Sequence, residues 1–291
     1  MTDKTSSSNG SLLGKALAWC ICIMGVILLC RPLYIKDAQT HLLAATSTGT
    51  SFDVERQLWL GADQNGGPTL RRELGQGRYP IVDAVRRGDE QIVRALLSHG
   101  ARANISNPEP GTIPPLIIAA TNGNANIVRL LVDHGADVNA VDSNNNTALL
   151  TGAQSADIVR LLLDHGAYVN VANNQGDTPL IRASASLNGP AVGFMINRGA
   201  RVNARGANGF TPLISAVDSC LPLETPPNRP RPEMSDEARR RLNSAIEIIE
   251  QLIKAGADPN VRDQHGLNAL TAASGRPREL SDLIKQHGAV K

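Results

Sequence analysis

The chain has 291 residues, of which 42% are hydrophobic, 19% charged and only 3% aromatic, and its formal net charge is +2. This apolar fraction excludes a wholly disordered chain, and the length suits one or two globular units. So few aromatic side chains indicate a core built from Leu, Ile, Val and Ala and spread thinly along the molecule. Because the charge is nearly balanced, we expect no nucleic-acid partner.

The N-terminal part of the chain contains an uncharged apolar run. Residues 16–30 carry no charge, and residues 12–14 lengthen the run if Lys15 extends its ammonium group toward the lipid headgroups. A helix over 12–30 rises by about 28 Å, close to the thickness of the hydrocarbon core of a bilayer. The sequence therefore predicts a short polar tail at 1–11, a single transmembrane anchor at 12–30 and a juxtamembrane linker at 31–37.

Two other interpretations of this run stay open. It also fits a cleaved or lipidated signal peptide, although residues 28–30 (Leu-Leu-Cys) are not the small residues that cleavage prefers. A buried helix of a soluble protein is the third interpretation. The flanking charges do not set the orientation, because Lys4 and Lys15 precede the run and Arg31 and Lys36 follow it. A short N-terminal tail more often stays inside, which favours an extracytoplasmic position for the rest of the chain.

A Gly-Ala pair recurs along the rest of the chain. The intervals between successive glycines are 39, 35, 31, 33, 57 and 32 residues, and an asparagine follows four residues after the glycine in every copy but the last. The glycines are Gly61, Gly100, Gly135, Gly166, Gly199, Gly256 and Gly288, and the asparagines are Asn65, Asn104, Asn139, Asn170, Asn203 and Asn260. A repeat of this length is typical of a solenoid, in which each unit buries its apolar face against its neighbours.

Each unit has the pattern of two short antiparallel helices. Thr178 and Thr211 are suited to cap the N-terminus of the first helix, and the apolar residues of 127–131 illustrate the buried face of the second. The closing glycine supplies the left-handed residue that often ends a helix. A proline suits the first turn of the first helix in four copies, at Pro80, Pro115, Pro179 and Pro212.

Two stretches, Asp177-Thr178-Pro179-Leu180 and Phe210-Thr211-Pro212-Leu213, match the helix-opening motif of the ankyrin repeat, and residues 134–139 match its closing loop. On these motifs, residues 38–291 resemble the ankyrin-repeat family. The resemblance implies an all-α solenoid of about seven helix-turn-helix units. The family's usual histidine after the Thr-Pro-Leu motif is absent, so we expect apolar contacts there. The residues at this position are Val82, Ile117, Leu150, Ile181, Ile214 and Thr271.

Two copies depart from the regular length. The interval of 57 exceeds 33 by 24 residues, and the extra length falls at about 221–243, between the two helices of one unit. Its first part is rich in proline, which predicts an extended loop that either docks onto a partner or is a tolerated surface insertion. Ser235 then fits an N-cap, and the following helix is expected to run to Ala255. The copy that contains Ala148 is two residues short.

Residues that could carry catalysis or bind metal are few. Cys220 has no base near it in sequence, and the stretch from Asp142 to Asn146 lacks the central glycine and closing glutamate of a calcium loop. Motifs for phosphate binding or nucleophilic attack are missing. We therefore expect no enzymatic activity, no catalytic residue, no metal, no cofactor and no small-molecule substrate. Four histidines share the position before the closing glycine and suit a helix C-terminus: His99, His134, His165 and His287.

The resemblance implies a row of finger loops whose tips face solvent. The residue just before the helix-opening threonine, or its substitute, is then expected to point outward, and we predict that this row binds a protein partner. Its members are Arg78, Ile113, Asn146, Asp177, Phe210 and Leu267. The alternative is that each of these side chains folds back onto its own hairpin.

The sequence thus predicts a non-enzymatic, membrane-tethered scaffold or adaptor that binds a protein partner through its concave face and finger loops. The alternative function is a regulatory or inhibitory, immunity-like subunit that caps an enzyme or toxin at the membrane.

Overall fold

The computed structural model describes residues 38, 40–59, 62–65, 79–105, 112–220, 235–274 and 276–289. Over these residues the protein is all-α, and Val141 and Thr147 form an isolated bridge rather than a strand. None of the helices in these ranges combines the length and the hydropathy that crossing a bilayer requires. The predicted tail, anchor and linker, at 1–37, lie outside the described residues.

The described helices form antiparallel pairs that stack in chain order. The first helices pack against one another from α3 to α13, and the second helices do so from α2 to α12. This confirms the predicted all-α stack of helix-turn-helix units. The pairs are α1 (40–48) with α2 (Ser51–Trp59), α3 (Pro80–Arg87) with α4 (Glu90–Ser98), α5 (Pro115–Thr121) with α6 (Ala125–Asp133), α7 (Ala148–Thr151) with α8 (Ala156–Asp164), α9 (Pro179–Ala185) with α10 (Gly189–Asn197), α11 (Pro212–Ser219) with α12 (Asp236–Lys254), and α13 (Ala269–Ala272) with α14 (Arg278–Gln286).

Local capping explains where these helices begin and end. The hydroxyls of Thr178 and Thr211 accept hydrogen bonds from backbone N–H groups three residues later, at 3.4 and 3.2 Å, as predicted. Gly135 and Gly166 follow the second helices with φ of +80° and +84°, and a Cβ added to either would meet no atom within 4 Å. The left-handed backbone, and not a lack of space, therefore favours glycine at both positions.

A continuous apolar core runs along the stack from Ala38 to Ile284. The residues that replace the family's usual histidine are part of the buried interior in five copies: Val82, Ile117, Leu150, Ile181 and Ile214. Of these five, Val82 and Ile117 are members of the apolar core cluster, which agrees with the apolar contact expected at this position. In the last copy, Thr271 instead forms a reciprocal capping box with Asn268, which stabilises the start of α13.

The four histidines before the closing glycines each bond to the helix that they end. The Nδ1 atom of His134 lies 2.8 Å from the carbonyl oxygen of Leu130, four residues earlier. His99, His165 and His287 make the same contact at 2.8–2.9 Å. This confirms that these side chains satisfy the last carbonyls of their helices.

The asparagine after each closing glycine links its repeat to the next one. Asn170 donates from Nδ2 to the carbonyl of Gly199 at 3.0 Å, and its Oδ1 accepts from the N–H of Arg201 at 2.8 Å. Asn104, Asn139 and Asn203 make the same two bonds to the following repeat. One side chain thus satisfies a backbone acceptor and a backbone donor of the neighbouring loop.

The two irregular copies keep the same architecture. The extra residues lie between α11 and α12, as predicted, and α12 begins after its cap Ser235, whose hydroxyl accepts from the N–H of Ala238 at 3.2 Å. The proline-rich part, at 221–234, lies outside the described residues. The shorter copy has lost length in α7, which spans only 4 residues where α5 and α9 span 7.

The asparagine links make a direct prediction about stability. Asn170→Ala removes both bonds to the next repeat, and we expect it to lower the free energy of unfolding by about 1–2 kcal/mol. Chemical denaturation of both proteins measures this difference. Asn197→Ala is the matched control, because Asn197 is exposed at the end of α10 and the substitution should change stability by less than about 0.5 kcal/mol. Equal effects of the two substitutions would contradict the role given to Asn170.

Candidate functional site

The finger loops connect one helix pair to the next. They span residues 139–147, 170–178, 203–211 and 260–268, together with a loop before α5 of which only part is described. Each of the four complete fingers is closed by the same backbone hydrogen bond. The bonds are Asp142 N–H to Asn146, Asn173 N–H to Asp177, Gly206 N–H to Phe210 and Asp263 N–H to Leu267, at 2.8–3.1 Å.

Neighbouring fingers are hydrogen-bonded to one another. The N–H of Asn174 donates to the carbonyl of Asn144 at 3.0 Å, and the N–H of Gln264 donates to that of Asn208 at 2.9 Å. Between these two contacts, the N–H of Ala207 donates to Oδ1 of Asp177 at 2.9 Å. The four fingers therefore form a continuous bonded edge, which we call the finger row.

The structure separates the predicted partner-binding residues into different groups. Ile113 and Leu267 are exposed to 41% and 44%, as expected, whereas Phe210 is half-buried. Asn146 is also half-buried and uses its amide within the finger row, where it donates to Asp142 and accepts from Asn173. Arg78 lies outside the described residues.

The outward orientation expected for Asp177 is wrong. Its side chain is only 8% exposed, and its carboxylate holds the N–H of Ala207 in the next finger. The reason is Gly206: a Cβ at that position would overlap Oδ1 of Asp177 and lie 2.9 Å from Cδ1 of Ile181. The corresponding residues of the other complete fingers are Asp142, Asn173 and Asp263, each of which has a Cβ.

A cleft lies beside the shortened helix α7, on the face formed by the first helices. α7 spans 4 residues and α9 spans 7, and a cavity of about 240 Å³ lies between the C-terminal ends of these two neighbouring helices. The guanidinium of Arg182 borders this cleft, is exposed, and forms no ion pair within the part of the chain that the structure describes. The lining residues are Leu150, Thr151, Ala153, Gln154, Arg182, Ala185 and Ser186. The sequence pattern did not predict the cleft, although the two-residue shortening of this repeat pointed to an irregular surface here.

Cys220 lies at the C-terminal end of α11. The thiol is buried and not in a disulfide, and burial raises its pKa, with partial opposition from the positive charges of Arg276 and Arg241. Because the thiolate is the reactive form, this environment disfavours a nucleophilic role. Over the described ranges, no group of three or more His, Cys, Asp or Glu side chains is placed to hold a metal ion.

The fit of Asp177 against Gly206 leads to a second stability prediction. Gly206→Ala places a methyl group against the carboxylate and against Ile181, and we expect a loss of about 1–3 kcal/mol in the free energy of unfolding. The matched control is Gly193→Ala in α10, where an added Cβ comes no closer than 3.5 Å to Gln251. There, replacement of a helical glycine should leave stability unchanged or raise it by about 0.5–1 kcal/mol. Thermal denaturation of both variants measures whether Gly206→Ala lowers stability while Gly193→Ala leaves it unchanged or raises it.

Comparison with known families agrees with this geometry. Two overlapping matches to a family model described as ankyrin repeats (3 copies) cover residues 26–142 and 81–173, together slightly more than half of the chain. The first match begins inside the predicted anchor, at residue 26. A search of curated proteins gave no significant match. Repeats of this kind serve as scaffolds for protein–protein interaction. The chain belongs to the ankyrin-repeat family.

Proposed function

We propose that the protein is a membrane-tethered scaffold that binds a protein partner through the finger row and the face formed by its first helices. The observation that carries this proposal is the bonding between fingers, because a binding edge that is already ordered loses little conformational entropy on association. The backbone and side-chain bonds at 2.9–3.0 Å from one finger to the next supply that order.

The chemistry of this surface favours a partner with apolar side chains and an acidic group. Ile113 and Leu267 present apolar side chains to solvent on loops, and Phe210 is half-buried between them in chain order. Side chains of this type, fixed by a rigid support, are suited to fill pockets of a partner. Arg182 supplies an exposed positive charge at the rim of the cleft, where a carboxylate could form a bidentate contact.

We assign the membrane tether to residues 12–30. Support comes from the sequence: an uncharged run over 16–30, extended by residues 12–14 to a length that matches the hydrocarbon core. In this proposal the anchor is not cleaved, and the repeats lie on the extracytoplasmic side.

The anchor is tested by extraction of membranes at alkaline pH. The full chain should stay in the membrane pellet, and its intact mass should include residues 1–30. Ile21→Lys combined with Ile23→Lys should release it, because each charge near the centre of a spanning helix costs about 2.5–3.5 kcal/mol. Ser7→Lys with Ser8→Lys, in the polar tail, is the matched control and should leave the chain in the pellet. A mature protein that lacks the run would refute the tether.

The finger row is tested by capture of a partner from solubilised membranes, with quantification by mass spectrometry. Phe210→Ala should reduce capture of the specific partner by an amount equivalent to about 1–3 kcal/mol, with little change in Tm. Leu267→Ser should act in the same direction. Arg129→Ala is the control, because Arg129 is exposed on the second helix α6, away from the fingers. Undiminished capture by the finger variants would argue against this surface.

The same experiment distinguishes the scaffold function from the function of an inhibitory subunit. A single stoichiometric enzyme or toxin whose activity changes on release from this chain would favour the inhibitory function. Partners without such an activity would favour the scaffold.

A further inference from the structure

Helix α2 carries two unusually exposed aromatic side chains. Phe52 is 70% exposed and Trp59 is 88% exposed, the two highest values among the large apolar residues of the described chain. Seven residues separate them, which is nearly two helical turns, so both lie on one stripe of the helix at a spacing of about 10 Å. We call this pair the aromatic stripe.

The other repeats show that these positions are normally polar. Alignment of the second helices on their N-cap residues, Thr50, Asp89, Asn124 and Ser155, places the same outward positions in register. The residues equivalent to Phe52 are Gln91, Asn126 and Asp157, and those equivalent to Trp59 are Ser98, Asp133 and Asp164; all six are exposed. Among these four helices, only α2 places aromatic rings in the solvent-facing stripe.

Packing within the stack does not account for the aromatic stripe. The residues of α2 that are buried are Val54, Gln57 and Leu58, on the side that packs toward α4. The start of the helix is fixed by reciprocal bonds between Thr50 and Asp53: the Asp53 carboxylate accepts from Thr50 at 2.8 and 2.9 Å, and the Asp53 N–H donates to the Thr50 hydroxyl at 3.3 Å. Neither ring takes part in the buried face or in the N-terminal bonds of α2. Both rings are therefore available to contact another surface.

We propose that the aromatic stripe inserts into the membrane–water interface next to the point where the anchor leaves the bilayer. This inference rests on the proposed anchor. Aromatic rings, Trp above all, are favoured at this depth, where an apolar body and a polar edge are both satisfied. Glu55 and Arg56 are exposed between the two rings, and their opposite charges suit a layer of zwitterionic headgroups.

The length of the linker brings the aromatic stripe to this surface. Eight residue steps separate Cys30, at the end of the proposed anchor, from Ala38, the first described residue, and can span at most about 29 Å. The first helix pair is therefore held close to the bilayer in every molecule, at any protein concentration. With the stripe inserted, the stack has two attachments to the membrane, which limits its rotation about the linker.

The test uses the full chain reconstituted into phosphatidylcholine vesicles. Trp19 and Trp59 are the two tryptophans of the chain, so Trp19→Phe leaves Trp59 as the only indole reporter. In vesicles that contain a phosphatidylcholine brominated near the headgroup, we expect Trp59 emission to fall by about half or more, and aqueous iodide to quench it weakly. These are the properties of an indole at the interface.

The matched control moves the indole to the same position of another repeat. Trp19→Phe with Trp59→Ser and Asp133→Trp places it at the end of α6, two repeats along the stack, where iodide should quench it strongly and the brominated lipid should not. A further variant, Phe52→Gln with Trp59→Ser, installs the polar residues of the next repeat and should preserve the fold. Trypsin should then cut after Lys36 several-fold faster than in the parent chain.

Three results would overturn the inference, and one result separates it from failure of the anchor. Strong iodide quenching of Trp59 means that the stripe faces water. Protection from both quenchers means that it is covered by protein: by a second copy if protection depends on concentration, or by another segment of the same chain if it does not. Each of these quenching results is decisive only when the chain floats with the vesicles. A chain that does not float is not anchored, and in that case the proposed membrane tether fails rather than the proposed role of the aromatic stripe.

Discussion

The stack depends on contacts between neighbouring repeats. In the loops, the asparagine after each closing glycine makes these contacts by hydrogen-bonding to the next repeat. A pair of short helices cannot bury its own apolar face, so each pair needs the next one. The amide of Asn170 suits this junction because it offers both a donor and an acceptor, which meet the carbonyl of Gly199 and the N–H of Arg201. An aspartate at the same position would offer acceptors alone.

Because each repeat contacts only its neighbours, a change in the length of one repeat leaves the packing of the rest of the stack intact. The shortened helix α7 leaves its own second helix α8 intact, and the insertion between α11 and α12 leaves the packing of α12 against α10 in place. The last repeat, with its short helix α13, is held by Arg276, whose side chain is 5% exposed and donates to the Asp218 carboxylate at 2.9 Å and to the carbonyl of Ala272. Irregular copies thus supply distinctive surface while the core remains continuous.

The surfaces that we associate with function are distributed over different elements. The finger row lies on the loops, the cleft with Arg182 lies on the first helices, and the aromatic stripe lies on the second helix α2. The proposed membrane contact and the proposed partner contact therefore use different surfaces. Reactive groups are not gathered at any of these surfaces in the described part of the chain, and the thiol of Cys220 is buried.

The repeat architecture was readable from the sequence because its causes are local. A proline in the first turn, a threonine cap and a left-handed glycine each act within about four residues of the chain, and so do the histidines that bond the last carbonyls. The start of α12 at Ser235 was predicted for the same reason. The periodic asparagines were also visible, but the sequence did not show which backbone groups they contact, because those groups belong to the following repeat.

Only the tertiary structure decided which side chains face solvent on the fingers. Asp177 was expected at a tip, yet its carboxylate is buried because Gly206, from the following finger, lacks a Cβ that would exclude it. The cleft likewise lies between α7 and α9, two helices of different length that belong to separate repeats. Sequence patterns within one repeat determine its helices, whereas burial at a junction depends on the shapes of both neighbours, which come together only when the repeats stack.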